Sequence, residues 1–273
     1  MSQEKIISTF NCIAEGYDRS VMRFFPFSAD KMMSLLKPLR GQKVLDVATG
    51  TGAVAVAAAQ CVGSEGRVTG IDLAEQMLER AGQNIKQMAL DNVDLHVMDA
   101  ANLEFKSNYF HAVTCSFGLF FIEDMQAALK GWKRVLRPGG KVMFSCFNKQ
   151  AFQPMGEMLQ QCFERHGIEL GSNRNFSHQR LVDSRVCHDL MHDAGFKEIN
   201  ISTEQMGYHL QNAEEWWELL WNSGARSLID KIPADKLEQF KSDHLKDIQS
   251  LCSDKGLWLD VETQFVSGIK PAE

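Results

Sequence analysis

Val44-Leu45-Asp46-Val47-Ala48-Thr49-Gly50-Thr51-Gly52 is the stretch that decides the fold. Its opening residues are apolar or β-branched and suit a buried parallel strand. Gly50 and Gly52 then let the backbone turn sharply and approach a ligand. Ala53 to Cys61 is rich in Ala and Val and holds no breaker, so a helix follows. A strand, a glycine turn and a helix N-terminus together form a site for an adenosine-containing cofactor.

Outward from that stretch, strand and helix signals alternate. Strands are predicted at Lys43 to Val47, Arg67 to Asp72, Val93 to Met98, Ala112 to Phe117 and Lys141 to Phe147. Helices are predicted at Ala53 to Cys61, Ala74 to Met88 and Asp124 to Leu136. Pro138-Gly139-Gly140 breaks the last of these and turns into the fifth strand. The alternation predicts an α/β fold with a doubly wound, Rossmann-like, mostly parallel sheet. Upstream, the first forty residues read as helices, clearest over Ala29 to Leu36. Downstream the rhythm changes. Ala151 to His166 and Leu181 to Ala194 read as helices. Phe196 to Thr203 and Trp258 to Ile269 read as strands, with a helical segment from Asn212 to Asp254 between them. The chain is expected to be a single domain over 1–273. It has N-terminal helices at 1–40, a cofactor-binding core at 41–147, and inserts at 148–178 and 212–256 that form a helical cap.

Composition narrows the classes. The 273 residues can bury a sizeable core, and 44% apolar with 23% charged residues is ordinary for a soluble globular chain. The net charge of −6, with no Lys/Arg block, disfavours nucleic acid as a partner. Seven scattered cysteines without a Cys-x-x-Cys pair read as reduced thiols, and no apolar run is long enough for a membrane span. Met1 to Phe10 shows no signal peptide, so a cytoplasmic location is expected.

Two cofactor classes compete for the glycine turn. Gly50-Thr51-Gly52-Ala53-Val54-Ala55 matches the G-x-G-x-x-A dinucleotide pattern, and Asp72 closes the second strand where an acid holds ribose hydroxyls. Both classes share that acid. Asp46 separates them: a carboxylate just before the turn repels a pyrophosphate and suits a cofactor with a cationic amine and no phosphate. S-adenosylmethionine has that amine. Asp99, ending the third strand, is placed to accept from an adenine amino group.

The chain resembles class I S-adenosylmethionine-dependent methyltransferases, and is similar to the ubiquinone/menaquinone C-methyltransferase family and its small-molecule relatives. Five segments carry the likeness: Phe10-x-x-Ile13-Ala14-x-x-Tyr17-Asp18; the Asp46 loop; Gly70-Ile71-Asp72-Leu73-x-x-x-Met77-Leu78; Asp99-Ala100-Ala101-x-Leu103-x-Phe105; and Ser116-Phe117-Gly118-Leu119 leading to Leu136-Arg137-Pro138-Gly139-Gly140. The resemblance implies a seven-stranded sheet whose last strand is antiparallel. It also implies roles. Asp46, Ala48, Gly50 and Gly52 would serve the methionine part, and Asp72 with Leu73 the ribose side. Met77, Asp99 and Ala100 would hold the adenine, Ser116 and Phe117 the floor, and Tyr17 would close over the cofactor. Ala48 stands where many relatives carry glycine, and Ala53 where quinone methyltransferases usually carry Asp.

Methyl transfer from a sulfonium is an in-line displacement in which the protein aligns the reactants and excludes water. The expected acceptor is a small, partly apolar or aromatic molecule, methylated at O or C. His178 and His209, each at the edge of an insert, are candidates for a base. Trp217 and Trp221 fall on one side of a predicted helix, as cap core or as an acceptor wall; Phe120 and Phe121 follow the fourth strand. His188 and His192 share a helix face, but no third ligand is evident, so no metal site is expected. A nicotinamide-dependent oxidoreductase and a non-catalytic cofactor-binding protein are the alternatives.

Overall fold

The computed structural model describes residues 2–170 and 177–272; residues 171–176 of the first predicted insert lie outside the described residues. Helices α1 (Gln3–Ile13) and α2 (Phe24–Leu36) precede the alternation. Then come β1 (Lys43–Val47), α3 (Ala53–Val62), β2 (Arg67–Asp72), α4 (Glu75–Gln87), β3 (Val93–Val97), β4 (Phe110–Ser116), α5 (Met125–Val135) and β5 (Leu136–Phe147). The remainder runs α6 (Met155–Arg165), α7 (Ser184–Asp193), β6 (Lys197–Gln205), β7 (Tyr208–Leu210), α8 (Ala213–Trp221), α9 (Arg226–Ile229), α10 (Leu237–Gln249), β8 (Leu257–Leu259) and β9 (Glu262–Ile269).

Seven strands form one sheet in the order β3-β2-β1-β4-β5-β9-β6. Strands β1 to β5 pair in parallel, and β9 runs antiparallel between β5 and β6. The chain moves outward from β1 to β3 and then returns to β4. Strand order therefore reverses between β1 and β4, and a crevice opens beyond their carboxyl ends.

Burial explains the near-continuous apolar reading of β1. Val44, Leu45 and Val47 are all fully buried. Val44 packs with Met32, Val54 and Val68 beneath α2 and α3. Leu45, on the opposite face, packs with Val113, Phe144 and Trp132 beneath α5. Each such side chain contributes roughly 1.5–3 kcal/mol of transfer free energy. The buried Trp132 indole donates to the Ala100 carbonyl at 2.9 Å, which ties α5 to the loop after β3.

Several predicted boundaries move, three of them for reasons that the contacts show. The strand predicted from Trp258 splits: β8 pairs antiparallel with β7 in a separate two-stranded sheet, and β9 begins beyond Asp260. Asp260 makes the break, accepting from the Glu262 N–H at 3.0 Å and from Gln205 Nε2 at 2.8 Å. The helix predicted from Leu181 begins at Ser184, after a short 3₁₀ turn at Ser177–Leu181; Asp183 caps it by accepting from the Arg185 N–H at 2.9 Å. Pro138-Gly139-Gly140 does not end α5, because Leu136 is already extended. The three residues lie inside β5, where the register against β4 shifts. Gly139 has φ +73°, and a Cβ on Gly140 would sit 2.8 Å from the Arg137 carbonyl oxygen, so only glycine suits that kink.

Helices α6, α8 and α10 pack over one end of the sheet. Phe163 and Phe240 meet at 4.7 Å, and Arg165 pairs with Asp247. Trp217 turns into this core, 6.4 Å from Phe240, whereas Trp221 lies under the Arg226 guanidinium at 3.8 Å. The expected shared face of those two tryptophans is thus divided between two environments. Trp216 donates its indole N–H to Nε2 of the fully buried His244 at 2.9 Å.

Accepting through Nε2 requires a neutral imidazole, and burial pushes the His244 pKa from 6.5 down to about 4. Between those values the unfolded chain binds the proton and the folded chain does not, so this residue lowers stability as pH falls from 6.5 to about 4. Near pH 7.5, His244→Leu is expected to cost about 1–3 kcal/mol because Trp216 loses its acceptor. His244→Gln, which retains one, is expected to cost less. Urea melts across pH should show His244→Gln gaining on the natural protein below pH 6.5. A pH-independent gap, or Leu equal to Gln, would contradict this assignment.

Candidate active site

The backbone after β1 enters the left-handed region three times, with φ of +51° at Ala48, +55° at Gly50 and +87° at Gly52. Ala48 pays a small steric cost there that the glycines do not. A Cβ on Gly52 would stand 3.2 Å from the Ala81 Cβ, so α4 closes on the turn from outside. Asp72 braces the turn from within. Its Oδ2 accepts from the Gly50 N–H and its Oδ1 from the Ala74 N–H, each at 2.9 Å. The Leu73 N–H adds to the same carboxylate. Burial raises the Asp72 pKa, and these backbone donors oppose the rise.

Asp46 is more deeply enclosed, at 1% exposure. Thr49 Oγ1 donates to its Oδ2 at 2.6 Å and Thr114 Oγ1 to its Oδ1 at 2.7 Å. Burial outweighs the two hydroxyls and pushes its pKa up to about 6. Asp46 thus lies beneath the turn with each oxygen engaged by a threonine, rather than open beside it.

Around this centre the structure gathers the other sequence-predicted positions. Asp99 follows β3; its Oδ1 accepts from the Ala101 N–H at 2.8 Å and its Oδ2 from Gln3 Nε2 of α1 at 2.9 Å. Ala100 is held by Trp132, and Met77 is buried with Ile13, Ala14 and Ala74. Ser116 Oγ lies 2.9 Å from Ser145 Oγ, joining the ends of β4 and β5. Phe117 takes φ +53° and stacks on Phe147 at 4.3 Å. Tyr17 reaches over Gly50, where an added Cβ would sit 3.9 Å from its Cε1, and stacks on Phe25 at 4.7 Å. Burial, aided by Asp72 and Asp18, raises the Tyr17 phenol well above its usual range.

A cavity of about 790 Å³ opens beside Tyr17 and Phe117. Phe24, Phe147, Phe152 and Trp216 also line it. His178 stands in the same wall, edge-on to Phe147 at 5.8 Å and to Phe120 at 6.5 Å, and burial pushes its pKa down to about 4. Arg180 secures that segment by donating to the carbonyls of Phe120, Ile122 and Glu123 at 3.0, 2.6 and 2.8 Å. His209 is not part of the cavity wall. It lies on β7 against Trp258 at 5.1 Å, and its carbonyl accepts from Arg23. Neither Trp217 nor Trp221 lines the cavity; Trp216 does.

Sequence reasoning missed Phe147, Phe152 and Arg180. Phe147 ends β5 beside the crevice, so the topology was the one signal for it. On α7, His188 and His192 place their rings 6.3 Å apart on an exposed face. No group of three or more His, Cys, Asp or Glu suited to a metal occurs among the described residues.

Residues 1–210 match the ubiE/COQ5 methyltransferase family. The chain belongs to this family. It is an S-adenosylmethionine-dependent methyltransferase, which decides against the nicotinamide alternative. Over 217 residues it is 33% identical to the demethylmenaquinone methyltransferase of Staphylococcus epidermidis, covering 72% of this chain and 87% of that one. Over 143 residues it is 33% identical to the aklanonic acid methyltransferase DauC of a Streptomyces species, covering 52% and 65%. The crystal structure of an S-adenosylmethionine-dependent methyltransferase from Aquifex aeolicus shares the fold, with a TM-score of 0.57, 15% identity and coverage of 95% and 97%. Among the described residues no helix is long and apolar enough to cross a membrane.

The raised Asp46 pKa has a definite sign. From about 6 down to its ordinary 3.8 the folded chain holds a proton that the unfolded chain has lost, so Asp46 favours folding more as pH falls through that window. Ligand-free Asp46→Asn is therefore expected to be more stable than the natural protein at pH 8, by about 1–3 kcal/mol. The advantage should vanish below about pH 4. Thermal melts at several pH values check this; a variant less stable at pH 8 would contradict it.

Proposed function

We propose that this methyltransferase transfers a methyl group to a ring carbon of a small, electron-rich aromatic acceptor of quinol type. The single observation that carries the reading is where the cavity begins. Tyr17 covers the glycine turn and also walls the aromatic cavity, so a cofactor on the turn would present its methyl end to that cavity. The Staphylococcus relative is named for a menaquinone precursor, in keeping with a quinol ring. We assign the whole of 1–273 to one domain, with 148–178 and 212–256 forming the cap over the acceptor.

The residues present fit the cofactor. Gly50 and Gly52 place no side chain at two positions of the turn, and Asp72 ends β2 while Asp99 follows the adjacent, parallel β3. In this reading Asp72 receives the ribose hydroxyls beside Leu73, and Asp99 and Ala100 take the adenine edge with Met77 packed against it. Asp46, through Ala48 and the turn, serves the methionine part; Ser116 and Phe117 form the floor. The cofactor supplies an already activated methyl group. The chain orients the acceptor between aromatic faces, excludes water and manages one proton. With the cofactor bound to supply the methyl group, His178, neutral at pH 7, would accept the acceptor's hydroxyl proton as the ring carbon is methylated. The ring carbon would then lose its proton and His178 would return its own to the ring oxygen, so that aromaticity is restored and one proton is released overall.

Calorimetry should show S-adenosylmethionine binding with a Kd between about 1 µM and 1 mM. Asp72→Ala should weaken it at least ~10-fold. His178→Gln should leave that Kd in place and lower kcat by about 10²–10⁴ once an acceptor is in hand. Absent cofactor binding would overturn the reading. A fully active His178→Gln would remove the histidine from it, and turnover with an acceptor separates it from a non-catalytic binding protein.

A further inference from the structure

Aromatic rings line the cavity beside Tyr17 and Phe117, and three exposed lysines, Lys5, Lys149 and Lys231, line it as well, with Glu157 the one carboxylate among the described lining residues. The three lysines arrive from separate segments. Lys5 lies on α1, which packs against α9; Lys231 follows α9; Lys149 follows β5. Among the described residues none of the three forms an ion pair, although surface cations elsewhere do, as in Arg19–Glu218, Lys31–Glu204 and Lys241–Glu214. Lys231 Nζ donates to the Leu170 carbonyl at 2.7 Å and keeps two donors for another partner. In a chain of net charge −6, three cations against one acid on a single lining runs opposite to the average.

We infer that the three exposed lysines of this cavity form an anion subsite, and that the acceptor is an aromatic acid whose ring lies among the aromatic side chains while its carboxylate meets Lys5, Lys149 and Lys231. The inference rests on the methyltransferase reading above and adds the charge of the substrate. A neutral acceptor with a long alkyl tail would instead lay apolar chain across three ammonium groups. The apolar walls confine the field of the lysines and raise the local concentration of an anion. Each exposed lysine strengthens binding about 1.5–5-fold, and the three act together on one carboxylate.

The test uses two matched probes, 6-hydroxy-2-naphthoate and 6-hydroxymethyl-2-naphthol, titrated calorimetrically into the full chain saturated with S-adenosylhomocysteine. The carboxylate probe should bind at least ~10-fold more tightly, and added salt should erode that preference. Lys5→Gln/Lys149→Gln/Lys231→Gln should reduce the preference to about threefold or less, with the affinity for the neutral probe retained. Equal binding of the two probes, no binding of the carboxylate probe, or a preference untouched by the triple substitution would overturn the inference. Binding of S-adenosylhomocysteine itself reports separately on the proposed function, so failure of one is distinguishable from failure of the other.

Discussion

The Asp72 carboxylate is the fixed point of this molecule. It closes β2 and takes the backbone N–H of Gly50 on one oxygen and that of Ala74 on the other. A glycine turn has few intrinsic restraints, because glycine loses more backbone entropy than any other residue on ordering. Asp72 supplies the restraint from the neighbouring strand, and the Thr49 N–H adds a second tie to the Ile71 carbonyl at 2.9 Å. With the turn fixed, the start of α3 and the cover of Tyr17 are fixed with it. Charge is concentrated here at a cost: burial raises the pKa of both Asp46 and Asp72, and the Asp72 charge adds to the rise at Asp46. A cationic amine near the turn would relieve that repulsion, which a diphosphate would increase.

The cavity follows from the other half of the chain. Sheet order brings the ends of β4 and β5 side by side, and Phe117 and Phe147 stack there as a shared floor. Two ties fix the segments around it. Arg180 docks the segment carrying His178 onto the loop after β4, and the Trp216–His244 hydrogen bond joins α8 to α10. Two of the histidines in this region are held neutral by burial, yet they differ in place: His244 bonds Trp216 in the core between α8 and α10, whereas His178 meets the cavity.

The core of the fold was legible because its signals are local. Alternating apolar strands, a glycine turn and acids at strand ends need no tertiary information: Asp72 does end β2 and brace the turn, and Tyr17 does reach over Gly50. What the sequence hid depended on distant partners. Asp260 breaks one long apolar run into β8 and β9 through a bond to Gln205, 55 residues away in the chain. The Pro138-Gly139-Gly140 signal was read as a helix stop, but it forms a kink inside β5 set by the register against β4. Helical spacing paired Trp217 with Trp221, yet packing against α10 placed Trp216 at the cavity instead. His178 and His209 are equivalent in sequence; only the three-dimensional arrangement puts one in the cavity wall and the other on the separate two-stranded sheet.

A crystal structure with S-adenosylhomocysteine bound is the decisive measurement. The nucleoside is expected over Gly50 and Gly52, with ribose hydroxyls on Asp72 and the sulfur directed between Tyr17 and Phe117 into the aromatic cavity. A ligand seated away from Asp72, or with its sulfur facing solvent on the far side of Tyr17, would contradict this expectation.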